Sequence, residues 1–153
     1  MADIEIKRAT FEDREMIFDL VWDLLCELGE EAADLNRLRW KEIQRAWMDH
    51  RNDVHVFIAT KDGAPIGVVT LAETFAIFAN GALGVINEMY VVPEERSQGI
   101  GQRLLEAASR FGQSKGWKRL DVTMPESERF ARTRQFYERE SFQFTGPKLK
   151  RTL

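Results

Sequence analysis

The chain has 153 residues, 44% apolar and 31% charged, enough to bury a core without help from disulfides or metals. Its net charge of −3 comes from interspersed acids and bases with no basic groove, which sets nucleic acid aside as a partner. The lone cysteine, Cys26, excludes an intrachain disulfide, and there is neither a run of about 20 apolar residues nor a signal-peptide pattern, so a cytoplasmic chain without membrane contact is expected.

At this length one domain, 1–153, is expected. Ile4-Glu5-Ile6-Lys7 alternates at period two and predicts a first strand. Thr10, followed by Glu12 and Asp13, starts a helix with Ile17, Leu20, Val21, Leu24 and Leu28 on one face and Gly29 as its stop. Cys26 lies in that apolar run, which predicts core packing rather than a nucleophile. Asp34 reads as the cap of a second helix presenting Leu35, Leu38, Ile43 and Trp47, ending near Asp49. Residues 54–60 and 66–74 read as strands joined by a turn at Asp62-Gly63. Residues 75–81 read as a strand end running into a loop that closes at Asn80-Gly81, and 83–92 as the next strand.

Further on, Ile100, Leu104, Ala108 and Phe111 mark one face of a helix that Gly116 ends. Residues 119–124 predict a strand, and Ser127 or Glu126 begins a helix through Glu140. Phe142-Gln143-Phe144-Thr145 alternates again, and Gly146-Pro147 turns into a last strand over 148–153. The order β-α-α-β-β-β-α-β-α-β-β predicts an α/β fold with a mixed sheet and helices on its faces. His50 ends a helix and His55 sits in a strand; neither has the companions of a metal site, so no metal is expected.

The most informative pattern is the strand bearing Glu88, Met89, Tyr90 and Val91, followed by Pro93, the loop Arg96-Ser97-Gln98-Gly99-Ile100-Gly101 and an amphipathic helix. A glycine loop opening a helix collects unpaired N–H groups at the positive end of the helix dipole, a ready site for phosphate. A dinucleotide fingerprint would need a third glycine where Leu104 stands, and a P-loop would need Gly-Lys-Ser/Thr.

The loop matches the Arg/Gln-x-x-Gly-x-Gly/Ala signature of the GNAT superfamily of N-acetyltransferases. Phe136-Tyr137-Glu138-Arg139-Glu140-Ser141-Phe142 resembles that family's Phe-Tyr-Glu-x-x-Gly-Phe. The chain therefore resembles a GNAT acetyltransferase over nearly its whole length. The resemblance implies acetyl-CoA as co-substrate, its pyrophosphate on the backbone of Arg96, Ser97, Gln98, Gly99, Ile100 and Gly101. It also implies that Met89, Tyr90 and Val91 offer backbone groups to the pantetheine arm, the neighbouring strand splaying away to admit it.

Acetyl transfer needs a neutral amine, and a free alkylamine with pKa near 10.4 is mostly protonated. Glu88, a charged residue in an apolar strand, is the leading general base, with Glu73 second. The resemblance assigns Tyr137 as the general acid for the departing thiolate. The chain departs from the family pattern in two places: Phe130 and Thr133 stand where many members carry Asn and Ala, and Ser141 replaces a glycine, so the turn there is expected to differ.

The expected activity is direct acetyl transfer from acetyl-CoA to the amine of a small molecule. A peptide or protein acetyltransferase and a non-catalytic CoA-binding module stay open as alternatives, as does a homodimer. The acids Asp23, Glu27, Glu30, Glu31 and Asp34 would attract a cationic amine or simply form a solvated face.

Overall fold

The structure, a computed structural model, describes residues 2–29, 37–125 and 127–153. These form two compact units, Met1–Asp121 and Val122–Leu153. The elements are β1 (Ile4–Arg8), α1 (Arg14–Leu28), α2 (Trp40–Asp49), β2 (Val54–Lys61), β3 (Ala64–Ala76), β4 (Gly81–Val91), α3 (Ile100–Lys115), β5 (Leu120–Val122) and, in the second unit, α4 (Ala131–Arg139).

The strands lie in the order β1-β2-β3-β4-β5, the first four antiparallel. Lys118 N–H bonds to Ala82 O at 2.8 Å and Gly84 N–H to Arg119 O at 3.1 Å. These contacts advance together along both chains, so β5 runs parallel to β4, with α3 as the crossover that parallel neighbours require. The sheet is thus mixed, as expected.

Each face of the sheet receives a helix because each strand carries apolar side chains both ways. On one face, Ile17 and Leu20 of α1 pack with Val56, Ile58, Val68 and Tyr90. On the other, α3 lies so close that a Cβ on Gly67 would stand 3.1 Å from Leu104. Ile100, Leu104 and Ala108 are buried there, as their spacing predicts. Trp117 closes the α3 face: a Cβ at Gly84 would overlap its indole, and one at Gly112 would lie 2.8 Å from Cε3.

Both glycine stops form. Gly29 (φ 66°) ends α1 and Gly116 (φ 77°) ends α3. Thr10 opens a 3-10 turn, Phe11–Asp13, before α1, its N–H bonded to the Asp13 carboxylate at 2.9 Å. Two expectations in this region change. Cys26 is exposed rather than packed in the core, since apolar α1 residues on either side of it take the sheet-facing stripe. Leu38 is 97% exposed: it belongs to the 3-10 turn Arg37–Arg39, whose three-residue period rotates it off the α2 face. The buried face of α2 is instead Trp40 and Gln44. Trp40 and Trp47 close on Phe18 at ring separations of 5.5 and 6.2 Å. The predicted cap Asp34, with Leu35, and the helix start Glu126 lie outside the described residues.

The β3–β4 connection is tighter than the loop expected at 75–81. β3 runs to Ala76, a single 3-10 turn follows, and Asn80 (φ 64°) leads straight into β4.

In the second unit, Ser127 caps a 3-10 turn that leads into α4. The helix ends on Ser141 at φ 70°. Phe142 N–H reaches back to Tyr137 O at 3.0 Å, and the two rings meet at 5.3 Å. This is the left-handed cap with its apolar clasp that glycine usually builds, so the turn does not differ; serine adopts glycine's conformation. Beyond it the two predicted strands, 142–145 and 148–153, are absent. Alternation makes a strand only where a neighbouring edge supplies the ladder, and Phe144 and Leu149 stand exposed.

Because a left-handed backbone costs an L-residue roughly 1–2 kcal/mol, Ser141→Gly is expected to raise stability by about 1 kcal/mol, less glycine's own entropy cost. Denaturant unfolding with unchanged m checks it.

Candidate active site

The β3–β4 register builds the site. From Ala76↔Gly81 the strands pair without interruption to Leu71↔Ile86. Then β4 holds one extra residue, Asn87, and Thr70 pairs with Glu88. Side chains alternate faces at every residue, so one inserted residue reverses which positions face which way. Gly84 and Ile86, opposite Glu73 and Leu71, stand on the α3 face; Glu88 and Tyr90, opposite Thr70 and Val68, stand on the α1 face.

Glu88 is partly buried. Its carboxylate accepts a hydrogen bond from the Thr70 hydroxyl, and that hydroxyl oxygen accepts the Glu88 N–H at 3.0 Å. Burial raises the Glu88 pKa above the usual carboxylate range, and the Thr70 donor partly opposes the rise. Glu73 stands on the opposite face, its carboxylate accepting the Trp117 indole N–H. The two candidate bases therefore do not share a site.

Downstream of Val91, the 3-10 turn Pro93–Glu95 carries the chain to the loop. Ser97 (φ 63°) and Gly99 (φ 81°) are both left-handed. The first intrahelical bond onto Gly99 comes from Arg103 N–H, at 3.0 Å, so the N–H groups of Ile100, Gly101 and Gln102 have no acceptor within the helix. Together with the dipole of a 16-residue helix, they suit an anion.

The Arg96 side chain does not add charge to that pole. It turns back to bind the Glu27 carboxylate in bidentate fashion (3.0 and 2.6 Å) and Val91 O through Nε (2.8 Å), stacking 5.3 Å over the Tyr90 ring. A second ion pair, Lys61–Glu95 at 2.8 Å, anchors the turn to the end of β2. Of the acids expected to draw a cationic amine, Glu27 is thus paired, and Glu30, Glu31 and Asp34 lie outside the described residues.

Met89, Tyr90 and Val91 pair with Val69, Val68 and Gly67. On the other side, β5 has three residues against eleven in β4. It runs parallel from the contacts at Ala82 and Gly84.

Tyr137 belongs to the second unit. It is buried, 7% exposed, between the rings of Phe136 and Phe142. Burial lifts its pKa well above that of a free tyrosine, so the phenol is protonated at neutral pH.

His55 is buried, its ring 4.6 Å from that of Phe111. Its Nδ1 lies 2.6 Å from the Arg8 guanidinium, and burial with that cation lowers its pKa, so the imidazole is neutral and accepts. Among the described residues no three His, Cys, Asp or Glu side chains group as metal ligands, and no helix is long and apolar enough to cross a membrane.

Sequence reasoning missed Thr70 and the pairing of Glu27 with Arg96. Thr70 reads as one more β-branched strand residue until the bulge places it opposite Glu88, and Glu27 stands 69 residues from its partner Arg96. A threonine amid the apolar run of β3 was the only available signal.

Known proteins share sequence or fold with this chain. An uncharacterized N-acetyltransferase of Archaeoglobus fulgidus is 30% identical over 137 residues, covering 88% of this chain and 89% of that protein. The aminoalkylphosphonate N-acetyltransferase of Salmonella typhimurium is 28% identical over 144 residues, covering 92% and 89%. The solved structure of AAC(6')-Iy, an aminoglycoside N-acetyltransferase, in complex with the bisubstrate analog CoA-S-monomethyl-acetylneamine shares the fold, with a TM-score of 0.80 at 16% identity over 99% of this chain and 98% of that one. The Acetyltransferase (GNAT) domain model matches residues 52–144. With that match across most of the chain and the glycine loop and bulged β4 inside it, this protein belongs to the GNAT acetyltransferase family.

Proposed function

We propose that this chain transfers the acetyl group of acetyl-CoA directly to the amine of a small molecule, with Glu88 as general base and Tyr137 as general acid. The observation that carries the reading is the desolvated carboxyl of Glu88, on the same strand that leads into the glycine loop. Relatives that act on aminoalkylphosphonates and aminoglycosides support a small amine as acceptor, and a complex with a CoA-based analog supports the donor.

The roles follow from charge. The backbone from Arg96 to Gly101 receives the donor's pyrophosphate, and the backbone of Met89, Tyr90 and Val91 receives its pantetheine amides. The amine nitrogen attacks the thioester carbonyl, an N–C bond forms and the C–S bond breaks. Glu88 takes the proton the nitrogen loses; its raised pKa brings it closer to the working pH, where a base is most effective. Tyr137 donates toward the sulfur as charge develops there. Burial keeps the phenol protonated and able to hydrogen-bond the developing thiolate, whose ordinary pKa of about 8.5 makes the demand for full proton transfer modest. Cys26, exposed on α1, has no part in an acyl-enzyme.

CoA-thiol release measured against a panel of amines, aminoglycosides, aminoalkylphosphonates and peptides tests the activity; turnover of peptides alone would replace the small-molecule reading. Gly99→Glu and Gly101→Glu put a carboxylate at the phosphate pole and, for Gly99, a side chain on a left-handed backbone. Both are expected to abolish acetyl-CoA binding in calorimetry while circular dichroism stays native.

Glu88→Gln and Tyr137→Phe are each expected to lower kcat by about ten-fold or more with little change in donor affinity. Glu88 loses its base form as pH falls through a raised pKa, so the wild-type acidic limb should lie above the ordinary carboxylate range and flatten in Glu88→Gln. A Glu88→Gln enzyme with wild-type kcat and pH profile would refute the base. Cys26→Ala is expected to retain activity, with intersecting rather than parallel double-reciprocal lines.

A further inference from the structure

We propose that Thr70 is the positioning residue of this site, its hydroxyl locking the Glu88 carboxylate through a two-way hydrogen bond that only the bulged register permits. The inference rests on the reading of Glu88 as base. Thr70 is 5% exposed, between the fully buried Val69 and Leu71. A hydroxyl there is costly unless both its donor and acceptor are used, and Glu88 uses both.

The bulge sets the order of these bonds. Inserting Asn87 disrupts the ladder, and the Glu88 N–H finds its acceptor in Thr70 Oγ1 at 3.0 Å. With that lone pair committed, the hydroxyl hydrogen points at the carboxylate and binds Oε2. One carboxylate oxygen is thereby held, and Oε1 is left to take the proton. The β-branched threonine has few χ1 rotamers, so the clamp is stiff. In the unbulged register Thr70 would pair with Asn87, and Glu88 would face α3. The charged groups that act on Tyr90, the next residue of β4 on this face, are Glu27 and Asp23 of α1 with Arg96 and Glu94 after β4; burial and the Thr70 bond are what act on Glu88.

The test uses Thr70→Val, which keeps the shape and removes the hydroxyl, and Thr70→Ser, which restores the hydroxyl on a looser stem. Carbon-13 NMR of the Glu88 carboxyl, assigned by its loss in Glu88→Gln, gives the titration midpoint in the full chain. The pH profile of kcat is taken with acetyl-CoA and the panel amine that turns over fastest. Cooperative thermal unfolding confirms that each variant is folded.

Losing a donor to the charged form is expected to raise the midpoint by about one pH unit in Thr70→Val. The acidic limb of kcat should move up with it, while KM for acetyl-CoA is unchanged. Thr70→Ser should bring both back toward wild type, a rescue that simple loss of packing would not show. An unmoved midpoint in folded Thr70→Val, with Glu88→Gln still impaired, overturns the role of Thr70 alone. A midpoint that moves without the rate limb overturns Glu88 as base, and with it the proposal that rests on it.

Discussion

One inserted residue in β4 governs how this molecule is arranged. Before Asn87, β4 presents Gly84 and Ile86 to α3; after it, the same strand presents Glu88 and Tyr90 to α1. Because a strand has period two, there is no intermediate state: the bulge either reverses the faces or the whole downstream half is misdirected. Tyr90 would then leave the core it shares with Ile17, Leu20 and Val68. The apolar packing of α1 thus holds the register that also turns Glu88 inward, and the chemistry of the site is supported by the core rather than added to it.

The α3 face imposes a matching constraint. Trp117 is accommodated only because Gly84 and Gly112 lack side chains, and its indole N–H is satisfied by Glu73. This explains a charged residue inside β3 without giving it chemistry. The glycine loop is held similarly, by Arg96 on Glu27 and Lys61 on Glu95. Ion pairs this exposed add little to stability. Their effect is geometric: they tie the loop to α1 and β2, and they pair side-chain charge within the protein, so that the pole at the head of α3 is made of backbone N–H groups. In the second unit, the Ser141 cap brings the Phe142 ring against that of Tyr137, whose burial raises its pKa.

Local signals were legible because their causes are local. Helical spacing marked the buried stripes of α1 and α3, Gly29 and Gly116 marked their ends, and the loop from Arg96 to Gly101 announced an anion pole because glycine and helix start act within a few residues. Glu88 stood out as a charge in an apolar strand. Where the expectations failed, the cause was a feature that the apolar pattern does not carry. Leu38 left its predicted face because a 3-10 turn precedes α2, and the C-terminal alternation found no ladder to join.

The sequence by itself therefore determined the elements up to α4, the mixed α/β class, the family signature and the glycine loop, all properties of side chains within a turn or two of one another. Only the tertiary structure decided which face Glu88 occupies, that Thr70 binds it, that Glu73 serves Trp117 instead, and that Arg96 turns away to Glu27. Each of these depends on pairing between residues 18 to 69 positions apart, and a one-residue shift in strand register, invisible in the hydrophobic pattern, is enough to exchange one answer for the other.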